Sequence, residues 1–203
     1  MWGNYPASVY AIGDGGAIAH YNGTSWSKIE SGTTTNLLDV YGDGDNVFIG
    51  GWVDFMPSVL LKCQNGTVTT IINESPGNYD STRISGAVKS VWVKQNHLFT
   101  LTWYDLYQSS TSTNGKAAAL WKGNAQVWGA NRVRGNDLND IVTLGNNGRV
   151  WHYNGMTWKG YDALANTTDN YYSVAIKGNL IIAVGERYLN GVDRFGLIQI
   201  GRR

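Results

Sequence analysis

The chain of 203 residues has one cysteine, Cys63, so it can form no internal disulfide and no Cys-rich zinc site. It has only three prolines and three histidines. No run of 18 apolar residues occurs, which leaves no segment able to span a membrane as a helix. Neither sign of charge dominates, with 16 basic against 15 acidic residues. Such balance gives no general attraction to nucleic acid or to an anionic membrane surface. Basic residues are scattered apart from Arg132/Arg134 and Arg202-Arg203, so nucleic acid is not an expected partner. No stretch keeps a long amphipathic helical period. Nucleophile elbows, His/Asp pairing motifs and phosphate loops are also missing.

What is abundant is glycine, at 26 residues, and tryptophan, at nine. Together they fit many tight turns between aromatic-rich strands. The chain also repeats itself. Trp2–Ser27 and Arg134–Lys159 align without a gap. Gly3, Asn4, Gly13, Gly16, His20, Tyr21, Asn22, Gly23 and Trp26 recur as Gly135, Asn136, Gly145, Gly148, His152, Tyr153, Asn154, Gly155 and Trp158. The offset is about 132 residues, or three units of about 44, which is the spacing of propeller blades. A unit of that size cannot bury its apolar face alone and must stack on neighbours.

Short apolar runs bounded by Gly, Asn or Asp recur in pairs. The first members are Val9–Ile12, Val47–Ile49, Leu98–Leu101, Ile141–Leu144 and Leu180–Val184. The second members are Ala17–Tyr21, Val59–Cys63, Ala118–Trp121, Val150–Tyr153 and Leu197–Ile200. Such runs read as strands. Five pairs predict an all-β, five-bladed β-propeller of about 40–50 residues per blade, with residues 1–203 as a single domain. The second unit predicts four strands: Leu37–Tyr41 innermost, then Val47–Gly51, Val59–Cys63 and Thr67–Ile72. The last unit ends on a third-strand pattern, Phe195–Ile200, and predicts an incomplete blade. Met1 precedes Trp2-Gly3, which matches the interior of a later unit. The chain is therefore expected to be the C-terminal part of a longer parent, with any export signal upstream.

Several polar groups invite a chemical reading and have a plainer one. Asp43, Asp45 and Asn46 could be taken for calcium ligands, but they lack the 12-residue ligand pattern and its closing Glu. They read as turn residues, and no metal is expected. Asn22-Gly23, Asn65-Gly66 and Asn154-Gly155 predict type I′ hairpin tips, since both residues adopt positive φ cheaply. His20 and His152 occupy the same repeat position and predict packed strand residues with backbone partners. Cys63 predicts a small buried strand residue. Trp26 and Trp158 predict equivalent packing residues.

The pattern Trp-Gly-x(4–5)-Val-Tyr-Ala-Ile-Gly-Asp-Gly-Gly-x-Ile-x-His-Tyr-Asn-Gly-x-x-Trp resembles the repeat of β-propeller domains in secreted and lipid-anchored bacterial surface proteins of the Bacteroidetes and Ignavibacteria type. The resemblance is strong over residues 2–50 and 133–160 and diffuse over residues 60–130. It implies a propeller and an extracellular or cell-surface location. It implies no activity, and it supplies no catalytic residues or cofactor.

In a propeller, the loops between second and third strands open on the same face as the blade-to-blade loops. On that face two loops are minimal, Asp14-Gly15-Gly16 and Asn146-Asn147-Gly148. Three are expanded: Trp52–Ser58, Trp103–Lys116 and Glu186–Arg194. The expansions carry Trp52, Asp54, Phe55, Trp103, Tyr104, Asp105, Tyr107, Glu186, Tyr188 and Asp193. Folding does not require these additions, so all but Phe55 and Asp193 are taken as candidate binding residues. Flat rings beside carboxylates suit a sugar face or a protein hot spot, which makes a glycan or a surface protein the expected partner. The same aromatics also suit a cover over the blade edge, and both readings stand at this point. The competing function is a glycan-active hydrolase or lyase with Asp54, Asp105 and Glu186 as its carboxylates, or a sialidase-like site using Arg187 and Arg194. A third is a self-assembling surface protein. The reading that leads is a non-catalytic binding or adhesion module.

Overall fold

The computed structural model describes every residue except 55–57, 75–82, 117, 122–126, 167 and 203. Its fold is the five-bladed β-propeller that the repeat predicts, built of five small antiparallel sheets. The chain divides into two compact units, Met1–Lys122 and Gly123–Arg203. The first unit holds three four-stranded sheets. Sheet 1 is β1 (Trp2–Tyr5), β2 (Ser8–Ile12), β3 (Ile18–Tyr21) and β4 (Trp26–Ile29). Sheet 2 is β5 (Leu37–Asp43), β6 (Asn46–Gly51), β7 (Ser58–Gln64) and β8 (Thr67–Glu74). Sheet 3 is β9 (Val88–Lys94), β10 (His97–Thr102), β11 (Leu106–Ser110) and β12 (Ala118–Trp121). In the second unit, sheet 4 is β13 (Ala130–Asp137), β14 (Asp140–Gly145), β15 (Val150–Tyr153) and β16 (Trp158–Gly160). Sheet 5 is β17 (Asp169–Lys177), β18 (Leu180–Leu189) and β19 (Asp193–Arg202). Each sheet is ordered as the chain runs.

Strand alternation explains the packing. In sheet 2, Val47, Ile49, Val59, Leu61 and Cys63 join Tyr10, Ile18 and Ile29 of sheet 1. Their neighbours Phe48 and Leu60 point the other way and join Val88, Val91, Val93 and Leu98 of sheet 3. In the second unit, Val142, Leu144 and Val150 of sheet 4 meet Tyr171, Val174, Ile181 and Ala183 of sheet 5. Sheets therefore stack face to face within each unit, and strands apolar on both faces are what makes this necessary. Cys63 is buried in this stack, where desolvation pushes its thiol pKa up.

The glycine repeated four residues after Ile141 and Ile181 of the second strand, Gly145 and Gly185, has a steric cause. A Cβ on Gly145 would lie 2.0 Å from the Gly129 carbonyl oxygen, and one on Gly185 would lie 1.9 Å from that of Asn170. Backbone at the start of the innermost strand crosses there and leaves room only for hydrogen. Asn146 N–H then donates to the Gly129 carbonyl at 2.9 Å.

Polar ties join neighbouring sheets. Asp39, buried on β5, accepts from the Ser90 hydroxyl (2.6 Å) and the Val91 N–H (2.9 Å) of β9. Asp43 accepts from the Gln95 N–H at 2.9 Å, which gives this turn carboxylate a structural partner. In the second unit Asn136 donates to the Gly178 carbonyl (2.9 Å) and accepts from the Gly178 N–H (3.2 Å).

Four details depart from the sequence reading. Only Asn65-Gly66 has positive φ at both residues, at 52° and 76°, the type I′ pattern. At the other two tips Gly23 and Gly155 are positive and the Asn is not. There the Asn side chain acts instead: Asn22 Oδ1 accepts from the Thr24 and Ser25 N–H groups, and Asn154 Oδ1 from those of Met156 and Thr157. The histidines take side-chain partners where the sequence pointed to backbone ones. His20 Nε2 is 3.1 Å from Ser8 Oγ, and His152 Nε2 is 2.8 Å from Asp140 Oδ1. Ser8 and Asp140 occupy equivalent repeat positions. Third, Ala118–Trp121 is the outermost strand of sheet 3, not its third. That place belongs to β11, whose polar Gln108-Ser109-Ser110 half masks a strand anchored by buried Leu106 and Tyr107. Fourth, no separate loop spans Glu186–Arg194. β18 and β19 pair without a break through Glu186↔Gly196 and Tyr188↔Arg194. The hairpin tip is Asn190-Gly191, with φ of 53° and 73°. Sheet 5 has three strands among the described residues, as its sequence predicts.

Two stability outcomes follow from this packing. Asp39→Ala removes a buried acceptor shared by the Ser90 hydroxyl and the Val91 N–H and is expected to destabilise by about 1–3 kcal/mol. Denaturant midpoints should drop accordingly, while Leu38→Ala, at a 42% exposed neighbour, should change little. Trp26 and Trp158 are equivalent, each ring lying beside a tyrosine, at 5.4 Å from Tyr21 and 5.3 Å from Tyr153. Trp26 is 51% exposed, however, and Trp158 is partly buried. Trp26→Ala should therefore cost clearly less than the roughly 3–5 kcal/mol of a buried ring, and less than Trp158→Ala. Equal shifts in melting temperature would contradict that ranking.

Candidate functional site

The candidate residues fall in both units, and each group has its own geometry. In the first unit, Trp52 follows β6 and Trp103 follows β10. Backbone bonds fix both positions: Trp52 N–H donates to the Asn36 carbonyl (3.1 Å) and Trp103 N–H to the Ala87 carbonyl (2.9 Å). Their rings meet with centroids 5.9 Å apart and planes inclined at 51°. Lys89 Nζ lies 4.9 Å from the centre of the Trp103 ring, a cation–π contact. Trp103 and Tyr104 remain half exposed, at 48% and 52%.

A short turn holds Trp103 and Tyr104 up. The Thr102 N–H donates to the Asp105 carbonyl at 2.8 Å. The Thr102 hydroxyl oxygen accepts from the N–H groups of Tyr104 (3.3 Å) and Asp105 (3.2 Å). Gly86 lies under the Tyr104 ring: a Cβ there would stand 2.8 Å from Tyr104 Cδ2, at a φ of 88°. The expected loop of Trp103–Lys116 is thus a three-residue turn, Trp103–Asp105, that lifts two aromatic rings.

The other first-unit candidates divide. Asp54 is exposed. Asp105 and Tyr107 are 1% exposed and turn inward. The Tyr107 hydroxyl donates to Asp105 Oδ2 at 3.5 Å and lies 3.3 Å from Ser85 Oγ. Tyr107 belongs to the core between sheets 2 and 3. Phe55 lies outside the described residues.

In the second unit, Glu186 and Tyr188 share a side of β18 and come together. Glu186 Oε1 accepts from the Tyr188 hydroxyl at 2.7 Å and from the Tyr172 hydroxyl as well. Arg194 stands 3.8 Å from Glu186 Oε2 and 5.1 Å from the centre of the Tyr188 ring. The two phenolic donors, Tyr172 first, hold the Glu186 carboxyl below the usual carboxylate range. Desolvation, then the bond to Glu186, pushes the Tyr172 phenol up to about 12. Arg187 faces elsewhere and grips Asp169, with Nε at 2.6 Å and Nη2 at 2.8 Å from its two oxygens. Arg187 and Arg194 are thus bound to different carboxylates. A separate exposed ring, Trp128, stacks with Arg149 at 5.5 Å.

Three contributors escaped the sequence reading. Lys89 and Tyr172 sit on innermost strands, β9 and β17, and reach the candidates only through packing and register. Tyr172 is the extra residue of a bulge in β17, between Tyr171, which pairs with Gly185, and Ser173, which pairs with Val184. Trp128 precedes β13 in a stretch without a repeat signature. Among the described residues no group of three or more His, Cys, Asp or Glu is placed to hold a metal ion. Among the described residues no helix is long and apolar enough to cross a membrane.

No protein-family model matches the chain, and no curated protein does. Solved structures do. YCF48 from Cyanidioschyzon merolae matches with a TM-score of 0.63 at 13% identity, over 98% of this chain and 70% of that one. The extracellular domain of the putative hybrid two component system BT4673 from B. thetaiotaomicron matches with a TM-score of 0.61 at 17% identity, over 95% of this chain and 26% of that one. BamB from Moraxella catarrhalis matches with a TM-score of 0.55 at 13% identity, over 97% of this chain and 56% of that one. The chain thus spans about a quarter of the BT4673 domain and just over half of BamB. At these identities the likeness is one of fold, and it agrees with the propeller read from the sheets.

Proposed function

We propose that the chain is a non-catalytic binding module that holds a glycan or a surface protein on the ring cluster Trp52, Trp103 and Tyr104. The observation that carries this reading is the paired tryptophans, Trp103 half-exposed and Trp52 partly buried, with Lys89 against Trp103. Burial of these rings is incomplete, so folding alone gives little reason for them. Two inclined aromatic planes offer a sugar's apolar face a surface to pack on, and Lys89 beside the Trp103 ring suits hydroxyl or charged groups. The same cluster has the aromatic and basic make-up of a protein hot spot. A cell-surface setting is part of the proposal. It draws on the repeat's resemblance to surface propellers and on the extracellular domain among the structural neighbours.

The carboxylates weigh toward binding over turnover. A glycosidase acid needs a raised pKa so that it carries a proton at neutral pH. Glu186 is shifted the opposite way by its two phenol donors. Asp105 is buried and bonded to Tyr107.

The test is a glycan array and a surface-protein pull-down with wild type and a Trp52→Ala/Trp103→Ala double variant, run beside hydrolase assays. Loss of about 10-fold or more in affinity is expected, since aromatic hot-spot truncations cost about 2 kcal/mol or more. Because both rings are partly exposed, the double variant should keep its circular dichroism spectrum. Binding that survives both substitutions would move the site elsewhere. Glycan cleavage lost on substitution of Asp54, Asp105 or Glu186 would replace the binding reading with an enzymatic one.

A further inference from the structure

The dipeptide Asn-Gly occurs six times in the chain, at Asn22, Asn65, Asn114, Asn147, Asn154 and Asn190. Glycine has no Cβ to screen its nitrogen, so that nitrogen can approach the side-chain carbonyl carbon of the asparagine before it. The fold places the six pairs in different surroundings.

Four of them are held. At Asn22 and Asn154, Oδ1 accepts from the second and third following N–H groups, which locks the side-chain amide. The carbonyls of Gly23 and Gly155 are held as well, by the phenols of Tyr21 (2.8 Å) and Tyr153 (2.7 Å). At Asn114 and Asn147 the glycine nitrogen is engaged instead. Gly115 N–H donates to Thr113 Oγ1 at 3.1 Å, and Gly148 N–H donates to the Asp169 carbonyl at 2.7 Å. The hold at Asn65 is weaker, because Gly66 N–H is turned to the Cys63 sulfur, a poor acceptor.

Asn190-Gly191 differs from the other five. It lies at the tip of the β18–β19 hairpin, and both residues are exposed. The tip is closed by the Val192 N–H on the Leu189 carbonyl at 3.2 Å. Among the described residues neither the Asn190 side chain nor the Gly191 N–H has a hydrogen-bond partner. A Cβ built on Gly191 would find no atom within 4 Å.

We propose that Asn190 is the chain's principal site of spontaneous deamidation, with the Gly191 nitrogen as nucleophile and water as co-reactant. The Gly191 N–H gives its proton to hydroxide, and its nitrogen forms a bond to Asn190 Cγ. The Cγ–NH2 bond breaks, the departing nitrogen takes a proton and leaves as ammonia, and a cyclic succinimide remains. Water then opens the ring at either carbonyl to give aspartate or isoaspartate, with nothing oxidised or reduced. Both products put a new carboxylate on the tip. Isoaspartate also lengthens the main chain by a methylene between Leu189 and Asp193, which pair across the hairpin. The next pair inward is Tyr188 with Arg194, so the change falls beside the Glu186 cluster. The proposal does not rest on the tryptophan cluster.

The test follows the six asparagines of the folded chain in mildly alkaline buffer. Peptide mass spectrometry reads the loss of each amide, and electron-transfer fragmentation separates aspartate from isoaspartate. Asn190 should react fastest and Asn65 next. The four held asparagines should react at least about 10-fold more slowly than Asn190, the rate equivalent of one hydrogen bond. In denaturant the six rates should converge, since glycine follows every one. Thr113→Val removes the acceptor of the Gly115 N–H and should speed the reaction at Asn114 alone, with the circular dichroism spectrum kept. A held asparagine that reacts as fast as Asn190 in the folded chain would overturn the proposal. So would an equal spread of rates in denaturant, or an unchanged Asn114 rate in the folded Thr113→Val variant. If that variant does not fold, the ranking in the wild-type chain decides alone.

Discussion

Strands apolar on both faces are the constraint on which the rest of this structure depends. In β6, Val47 and Ile49 face sheet 1 while Phe48 faces sheet 3. In β7, Val59, Leu61 and Cys63 take the first direction and Leu60 the second. A sheet built this way has no face that can meet water, so it is stable only between others. Close stacking then dictates the small residues. Gly50 lies where a Cβ would come within 2.5 Å of a Val88 methyl carbon on the next sheet. It also dictates where polar groups can sit. Asp39 is tolerated in the stack because β9 supplies two donors to it.

The same constraint explains what the sequence disclosed. Repeated packing requires repeated residues, so period, blade number and most second and third strands were legible. Strand order in sheet 2 could be read nearly to the residue, since Val47 and Val59 begin clear apolar runs. Sheet 3 was harder. Its third strand begins Leu106-Tyr107 and then turns polar, and two buried residues are too few to signal a strand against the serines and threonines around them. The long hairpin of sheet 5 misled for the opposite reason. Glu186, Arg187 and Tyr188 have the composition of a loop, but their strand is held by cross-strand pairing with Gly196, Phe195 and Arg194. Hairpin tips were legible as turns and not as turn types, because Asn22 and Asn154 act through their side chains.

The candidate site was legible in part, and the division has a physical basis. Trp52 and Trp103 stand out because tryptophan in a variable turn has no role in the repeat, and the fold brings the two together. Asp105 and Tyr107, in the same stretch, are oriented by strand alternation and by the Thr102 turn. Burial follows from those, and neither leaves a local mark in the sequence. Lys89 and Tyr172 were invisible for a related reason. Each lies on an innermost strand, and its approach to a candidate depends on the twist and register of a whole sheet.

Charge placement bears on what the molecule can do. A carboxylate is useful as a proton donor only where its surroundings favour the neutral form. Glu186 is surrounded by Tyr172, Tyr188 and Arg194, all of which favour the anion. Asp169 is likewise held down by Arg187, the largest influence on it, against the opposing effect of burial. Both carboxylates sit on or beside the long β17–β18–β19 sheet, and both are bonded to groups on that sheet. Their combined effect is to tie β17, β18 and β19 together through side chains as well as through the backbone ladder.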